Sequence, residues 1–429
     1  MWNQTALAQL PDPGIAFGLD LARCAVGDAE LKELTRFKNL TALNLSGTKI
    51  TEAGLKELAT LPDLTSLSVR GIEITDTELK NLAALKNLTS IWLATTQITD
   101  LGLKELAALP QLAFLALEDC KITDAGLRAL APLKKLTELR LCKIPITDVG
   151  LEHLAPLEQL RVLDLRETQI TDAGLKHLAA LKNLTALHLT FTKVTDAGLK
   201  ELAVLPKLSY LNLMGLQITD AGLRELATFP SLTALDLTGT DITNAGLREL
   251  APLNNPTELN LWNTQITDAG LGELEVLPQL KVLGLASLQF TNRGLKRLAA
   301  LKNLAELHLP DTEITDLGLK ELASLPQLTA LNLGATKFTD AGLKELAALK
   351  NLTELYLDST AITDAGLKEL VALKKLTVLH LSNTRITDAG LKELAPLENL
   401  ALLNVSSTKT TRQGVAALRT ALPRCLIVH

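Results

Sequence analysis

Residues 40–63 read LTALNLSGTKITEAGLKELATLPD, and the same register returns at Leu64, Leu88, Leu112, Leu136 and onward to Leu400. One further unit fits in front, at Ala16, so the 429-residue chain holds 17 units of 24 residues with no insertion or deletion. With column 0 as the first residue of each unit, columns 0, 3 and 5 are aliphatic and the residues between them mostly polar. That is the period-two pattern of a short strand with one buried face. Column 10 is Ile, Val or Phe except at Thr410, column 11 is Thr from Thr51 to Thr411, and column 12 is usually Asp. Gly stands at column 14 in 15 of the 17 units, followed by Leu at columns 15, 18 and mostly 21. Apolar spacing of three, after a Thr-Asp pair able to cap free N–H groups, predicts a helix of about two to three turns.

A strand and a short helix cannot bury an apolar stripe alone, so the units must stack as successive coils. Strands pair about 4.8 Å apart, whereas helices pack at about 8–10 Å. The sheet therefore belongs on the inside of a curve. The expected fold is an α/β solenoid, a horseshoe with a parallel sheet on the concave face and short helices on the convex face. Residues 1–15, with Trp2, Leu7 and Leu10, read as an N-terminal half-coil cap; 16–423 as the solenoid; 424–429 as a C-terminal tail. Pro256 replaces the column 0 Leu, removes a backbone N–H and marks the expected local irregularity.

The pattern LxxLxLxx, a small polar residue, I-T-D-x-G-L and a helix resembles the leucine-rich repeat family across essentially the whole chain. It is most similar to the bacterial LxxLxLxxTxITDAGLKxLAxLxN type of planctomycete proteins, as is the ending ALPRCLIV. The resemblance implies a horseshoe and a binding or scaffolding role, and it names no ligand. Where many such repeats carry Asn at column 8, this chain has mostly Thr, whose hydroxyl can donate and accept, so a hydroxyl ladder is expected to satisfy loop backbone groups. Column 8 is apolar at Ile72, Ile144, Leu216 and Leu288, each 72 residues after the last, a trace of duplication in blocks of three coils.

Composition narrows the function. Hydrophobic residues make up 47% and aromatics 3%, so the core must be layered aliphatic side chains. A net charge of -5 disfavours nucleic acid and anionic membrane as partners. No apolar run is long enough to span a bilayer, and the start lacks a basic segment followed by an apolar one, so a cytoplasmic location is expected. Four cysteines make no disulfide framework and read as reduced thiols.

Columns 2, 4, 6 and 7 should face a partner. Column 4 alone holds nine residue types, whereas column 16 on the helices is Lys or Arg in 14 of 17 units. Half of the 12 aromatics fall on the inner face. The candidate partner-binding group is His188, Phe191, Tyr210, Asn212, Met214, Asp236 and Trp262, with a second group of Trp92, Phe114, Arg140 and Arg166. From the second unit onward the four columns hold 11 acidic and 4 basic residues, which favours a basic or mixed-charge protein or peptide. Asp164 and His188 should face each other on neighbouring strands as a structural pair, because no Ser or Cys nucleophile adjoins them. His308 and His380 lie about 14 Å apart by strand spacing, too far to share a metal ion. No catalytic residues, cofactor or metal are expected, and the function expected is a non-catalytic binding module or scaffold. The alternative is a structural or self-associating repeat protein without a dedicated ligand.

Overall fold

In a computed structural model of the chain, the described residues are 7, 9–253 and 256–429, and they fall into two compact units, Met1–Asn212 and Leu213–His429. Trp2 lies outside the described residues. Each unit contributes nine parallel strands, from Phe17–Asp20 to Tyr210–Asn212 in the first and from Ala234–Asp236 to Leu426–Val428 in the second. Within a unit, neighbouring coils pair in strict 24-residue register, Leu139 against Leu163 and Leu355 against Leu379. That register stacks like columns on one another. Every column 3 residue from Leu43 to Leu403 is buried, and only Leu19, in the first coil, is half-buried.

The helices lie at the short end of the length that the sequence spacing predicts. Most span four to seven residues, as in Asp196–Leu202, and some finish in a 3-10 turn such as Arg128–Leu130. Seven residues make about two turns, and the four-residue helix Asp172–Leu175 runs straight on into the 3-10 turn Lys176–Ala180. A 24-residue coil must also return the chain to the next strand, so the helix stops near the column 18 Leu and the column 21 Leu turns back into the core. Pro256 leaves the strand intact: Thr257 N–H still donates to Thr233 O at 2.7 Å, and Glu258–Asn260 keeps its register with Val282–Gly284.

The column 8 threonines form no ladder between coils. Nearly all of their hydroxyls donate to the column 5 carbonyl of their own coil, as Thr168 does to Leu165 O and Thr240 to Leu237 O, both at 2.6 Å; Thr96 instead meets Cys120 Sγ of the next coil at 3.3 Å. The chain turns sharply there, and the same carbonyl, three residues back, also accepts the threonine's own N–H, from Thr168 at 3.3 Å and from Thr240 at 3.2 Å. Ile72, Ile144, Leu216 and Leu288 are buried instead. A hydroxyl ladder does exist at column 1, where Thr65 donates to Thr41 O and Thr89 to Thr65 O, both at 3.0 Å.

The coils are tied together at the start of each helix. The Asp148 carboxylate accepts from both the N–H (2.8 Å) and the hydroxyl (2.6 Å) of Thr171 in the next coil, and Asp340 does the same to Thr363. This explains the column 14 glycines. A Cβ at Gly174 would run into the Asp148 carboxylate, and one at Gly366 into that of Asp340. The exceptions support the same reason. Coil 2 carries Glu52 at column 12, and the following coil has Glu78 rather than Gly at column 14; Glu78 instead accepts from the N–H (2.6 Å) and hydroxyl (2.5 Å) of Thr75 in its own coil. Burial acts to raise the Glu78 carboxyl, but these two bonds outweigh it and hold the group below its usual range. Glu30 closes the same box on Gly27 N–H at 2.8 Å.

Candidate functional site

The strand residues at columns 2 and 4 point away from the helices, so they and the loop residues at columns 6 and 7 form the open face of each unit. Column 7 has a positive φ in every one of the 17 coils, yet it is Gly only at Gly47, Gly71, Gly215 and Gly239. The other 13 are held in the left-handed region by the 24-residue turn around them. Phe191, at φ 53°, is the bulkiest of these and is 56% exposed.

In the first unit the face is a network of paired charges around rings. The Trp92 and Phe114 rings lie 4.3 Å apart, and the Arg140 guanidinium sits 5.2 Å from the Phe114 centroid. Arg140 also donates to Glu138 (2.7 Å), while Glu118 lies between Arg70 (3.3 Å) and Arg140 (4.0 Å). Arg166 does not join the rings. It turns onto Asp164, donating from Nε and Nη2 at 2.6 to 3.0 Å to both carboxylate oxygens.

That fork corrects the expected pairing of Asp164 with His188. Although the two are cross-strand partners, the nearly buried Asp164 carboxylate is taken by a donor that can engage both oxygens at once. His188 packs against Tyr210 instead, centroids 5.1 Å apart. Burial lowers its pKa; Asp164 pulls the other way, and Arg166 and Arg140 add to the lowering. Asn212 accepts from the Thr190 hydroxyl (2.8 Å) and donates to Tyr210 Oη (3.4 Å). His188, Tyr210 and Asn212 thus form one patch, with Phe191 on the adjacent turn.

Met214, Asp236 and Trp262 belong to the second unit. Asp236 accepts from the Thr238 N–H and hydroxyl, and Met214 is half-buried. The Trp262 indole lies so closely over Gly284 that a Cβ there would meet Nε1, and Nε1 itself is buried without a hydrogen-bond partner. Farther along, Tyr356 Oη donates to Glu354 (2.8 Å) and its ring lies 4.8 Å from that of His380. Burial and the Glu354 bond push the Tyr356 hydroxyl up to about 12. Glu258 is raised by partial desolvation and by its neighbours Glu306 and Asp236. The open-face columns of this unit hold Asp236, Glu258, Glu306, Asp311, Glu354 and Asp358 and neither Lys nor Arg. The acidity that appears in the sequence as a property of the whole inner face is concentrated here.

A profile described as leucine-rich repeat region matches residues 19–252, more than half of the chain, and a second, for two copies of the repeat, matches 350–393. The chain belongs to the leucine-rich repeat family. No curated protein matches it. Among solved structures, this leucine-rich repeat protein is similar to TLR13 in its complex with ssRNA13, with a TM-score of 0.58 at 19% identity over 96% of this chain and 68% of that one. A leucine-rich repeat protein of Leptospira interrogans matches over 100% of this chain and 98% of that one, at 26% identity and a TM-score of 0.48. An internalin from Listeria monocytogenes matches over 77% and 88%, at 26% identity and a TM-score of 0.47. Among the described residues of this leucine-rich repeat protein, no helix is long and apolar enough to cross a membrane. Arg70, Glu118 and Glu138 complete the ring cluster of the first unit. Their signal in the sequence is alternating sign at neighbouring coils on one face.

Proposed function

We propose that the chain is a non-catalytic module that binds a protein or peptide of basic or mixed charge through its open sheet faces. The observation that carries this reading is the uncompensated acidity of the second unit: six carboxylates on the open-face columns with no Arg or Lys among them. Partial burial, and after it the neighbouring Glu306 and Asp236, raise the Glu258 carboxyl. A partner supplying lysines or arginines relieves that repulsion, and a polyanion aggravates it. TLR13 is seen with RNA, but the open-face columns of the second unit carry no Lys or Arg to neutralise an RNA backbone. The recognition residues in the second unit are Met214, Asp236 and Trp262. In the first they are His188, Phe191, Tyr210, Asn212, Trp92, Phe114, Arg140 and Arg166, a mixed-charge aromatic surface of the composition that dominates binding hot spots.

The test is affinity capture with the full chain, followed by fluorescence anisotropy with labelled Lys- and Arg-rich segments of the captured protein and acidic peptides as controls. Trp262→Ala and Tyr210→Ala should each weaken binding of the basic segment by more than about 1 kcal/mol while sparing the melting temperature. Lowered stability with unchanged binding would assign these rings to shielding the sheet and overturn the assignment.

A further inference from the structure

The open face of the first unit is not evenly covered. Over its first strands Gly18, Ala42 and Ser66 occupy successive positions of one row and make a flat, shallow floor. The result is a trough of about 990 Å³, at the upper end of the ~300–1,000 Å³ typical of small-ligand sites. The Trp92 indole forms a wall, backed by Phe114 on the next strand. Arg23 and Arg70 line it as well.

The polar groups are organised rather than scattered. Ser46 Oγ joins Asn44 Oδ1 (2.7 Å) to Ser68 Oγ (2.8 Å), which uses the Asn44 acceptor. No hydrogen bond from the described residues engages Asn44 Nδ2, so it can donate into the trough. Asp20 Oδ1 accepts from Ala22 N–H at 2.9 Å, and its second oxygen can accept from a ligand. Arg70 touches Glu118 at 3.3 Å through a side chain that is 53% exposed, so most of its five N–H donors face outward. Arg23 is exposed and makes no ion pair among the described residues.

A flat floor of small side chains and an indole wall suit the C–H face of a sugar ring. The edge of amide, hydroxyl and carboxylate groups suits its hydroxyls, and two guanidinium groups suit a carboxylate. A peptide fits less well, because the floor of small residues offers no recess for an aliphatic or aromatic side chain. We propose that this trough binds an acidic oligosaccharide of the uronate class, a ligand distinct from the basic or mixed-charge partner proposed above, with the Trp92 wall and its Phe114 backing common to both.

Isothermal titration of the full chain with short oligogalacturonides tests this, with neutral cello-oligosaccharides and an acidic peptide as comparators. The expected result is saturable binding of the oligogalacturonide in preference to both. Ser68→Leu, which fills the trough, should weaken it by about tenfold or more, and Arg23→Gln with Arg70→Gln should do the same and remove the preference over the neutral sugar. Melting temperatures measured alongside should not move, which separates a filled or discharged trough from an unfolded coil. Three results would overturn the proposal: no binding of the oligogalacturonide, binding unaffected by Ser68→Leu, or tighter binding of the acidic peptide.

Discussion

The two units share one scaffold and treat charge in opposite ways. In the first, Arg70, Arg140, Lys143 and Arg166 stand against Glu118, Asp119, Glu138, Asp164 and Glu167, and each of these carboxylates except Asp119 lies within 4.0 Å of a cation. In the second, six carboxylates occupy the same columns and no Arg or Lys accompanies them. Burial, register and helix starts are alike in both. The difference shows that in a stacked repeat the face is uncoupled from the fold: what holds a coil in place sits at columns 3, 5, 12 and 14, leaving columns 2, 4, 6 and 7 free to satisfy themselves or to leave charge for another molecule.

The scaffold half of that comparison breaks if equivalent core residues behave differently. Leu211→Ala in the first unit and Leu355→Ala in the second should each cost about 2–5 kcal/mol in urea unfolding, because both leave a cavity in a stacked aliphatic layer. Lys200→Ala on an outer helix should stay within about 0.5 kcal/mol. The tie between coils comes next: Asp148→Ala and Asp340→Ala should each cost about 1.5–3 kcal/mol, the worth of a hydrogen bond to a charged group. The corresponding Asn variants should cost less, because Asn244 and Asn292 already accept from the next Thr N–H at 3.0 Å and donate to its hydroxyl.

The charge half is sharpened by salt. Association of a basic partner should slow as ionic strength rises to about 0.5 M, and Glu306→Gln should flatten that dependence more than Glu138→Gln, whose charge is already offset by Arg140. Equal effects would place the contact on both faces. The smallest effect is a titration. His188 has a pKa below 6.5 in the folded chain, so the unfolded chain takes up its proton first on acidification. Its contribution to stability is present above about pH 6.5 and is lost as pH falls from there toward the lowered folded value. The melting temperature should fall over that window, and less steeply in His188→Asn.

The repeat was fully legible because periodicity survives any surface change: strand positions, the buried columns and the parallel register all follow from Leu spacing. Helix ends were less legible than helix starts, since apolar spacing of three continues through the turn that ends the helix. The T-D-x-G run read as capping for its own helix, and its larger role, the reach of Asp148 to Thr171 across 23 residues, is invisible to a local reading. The site was legible only as a choice of columns. Which acid pairs with which arginine depends on side-chain reach across neighbouring strands, so Arg166 was grouped with the rings when its partner is Asp164, and Tyr356 and His380 were passed over although they pack on adjacent strands.

The bond between Asp at column 12 and the coil that follows also gives the repeat a grammar. A junction comes in two kinds: Asp or Asn meeting Gly, as at Asp76 and Gly102, or Glu52 meeting Glu78. A coil of the Glu78 kind set behind an Asp coil would drive a second carboxylate and its side chain into the space that glycine leaves open to the first. Coils can therefore be duplicated, deleted or recombined in blocks wherever both edges of the block are of the Asp–Gly kind, but the third coil is bound to follow the second. Lengthening such a protein is a matter of matching edges, two positions in 24, rather than matching whole repeats.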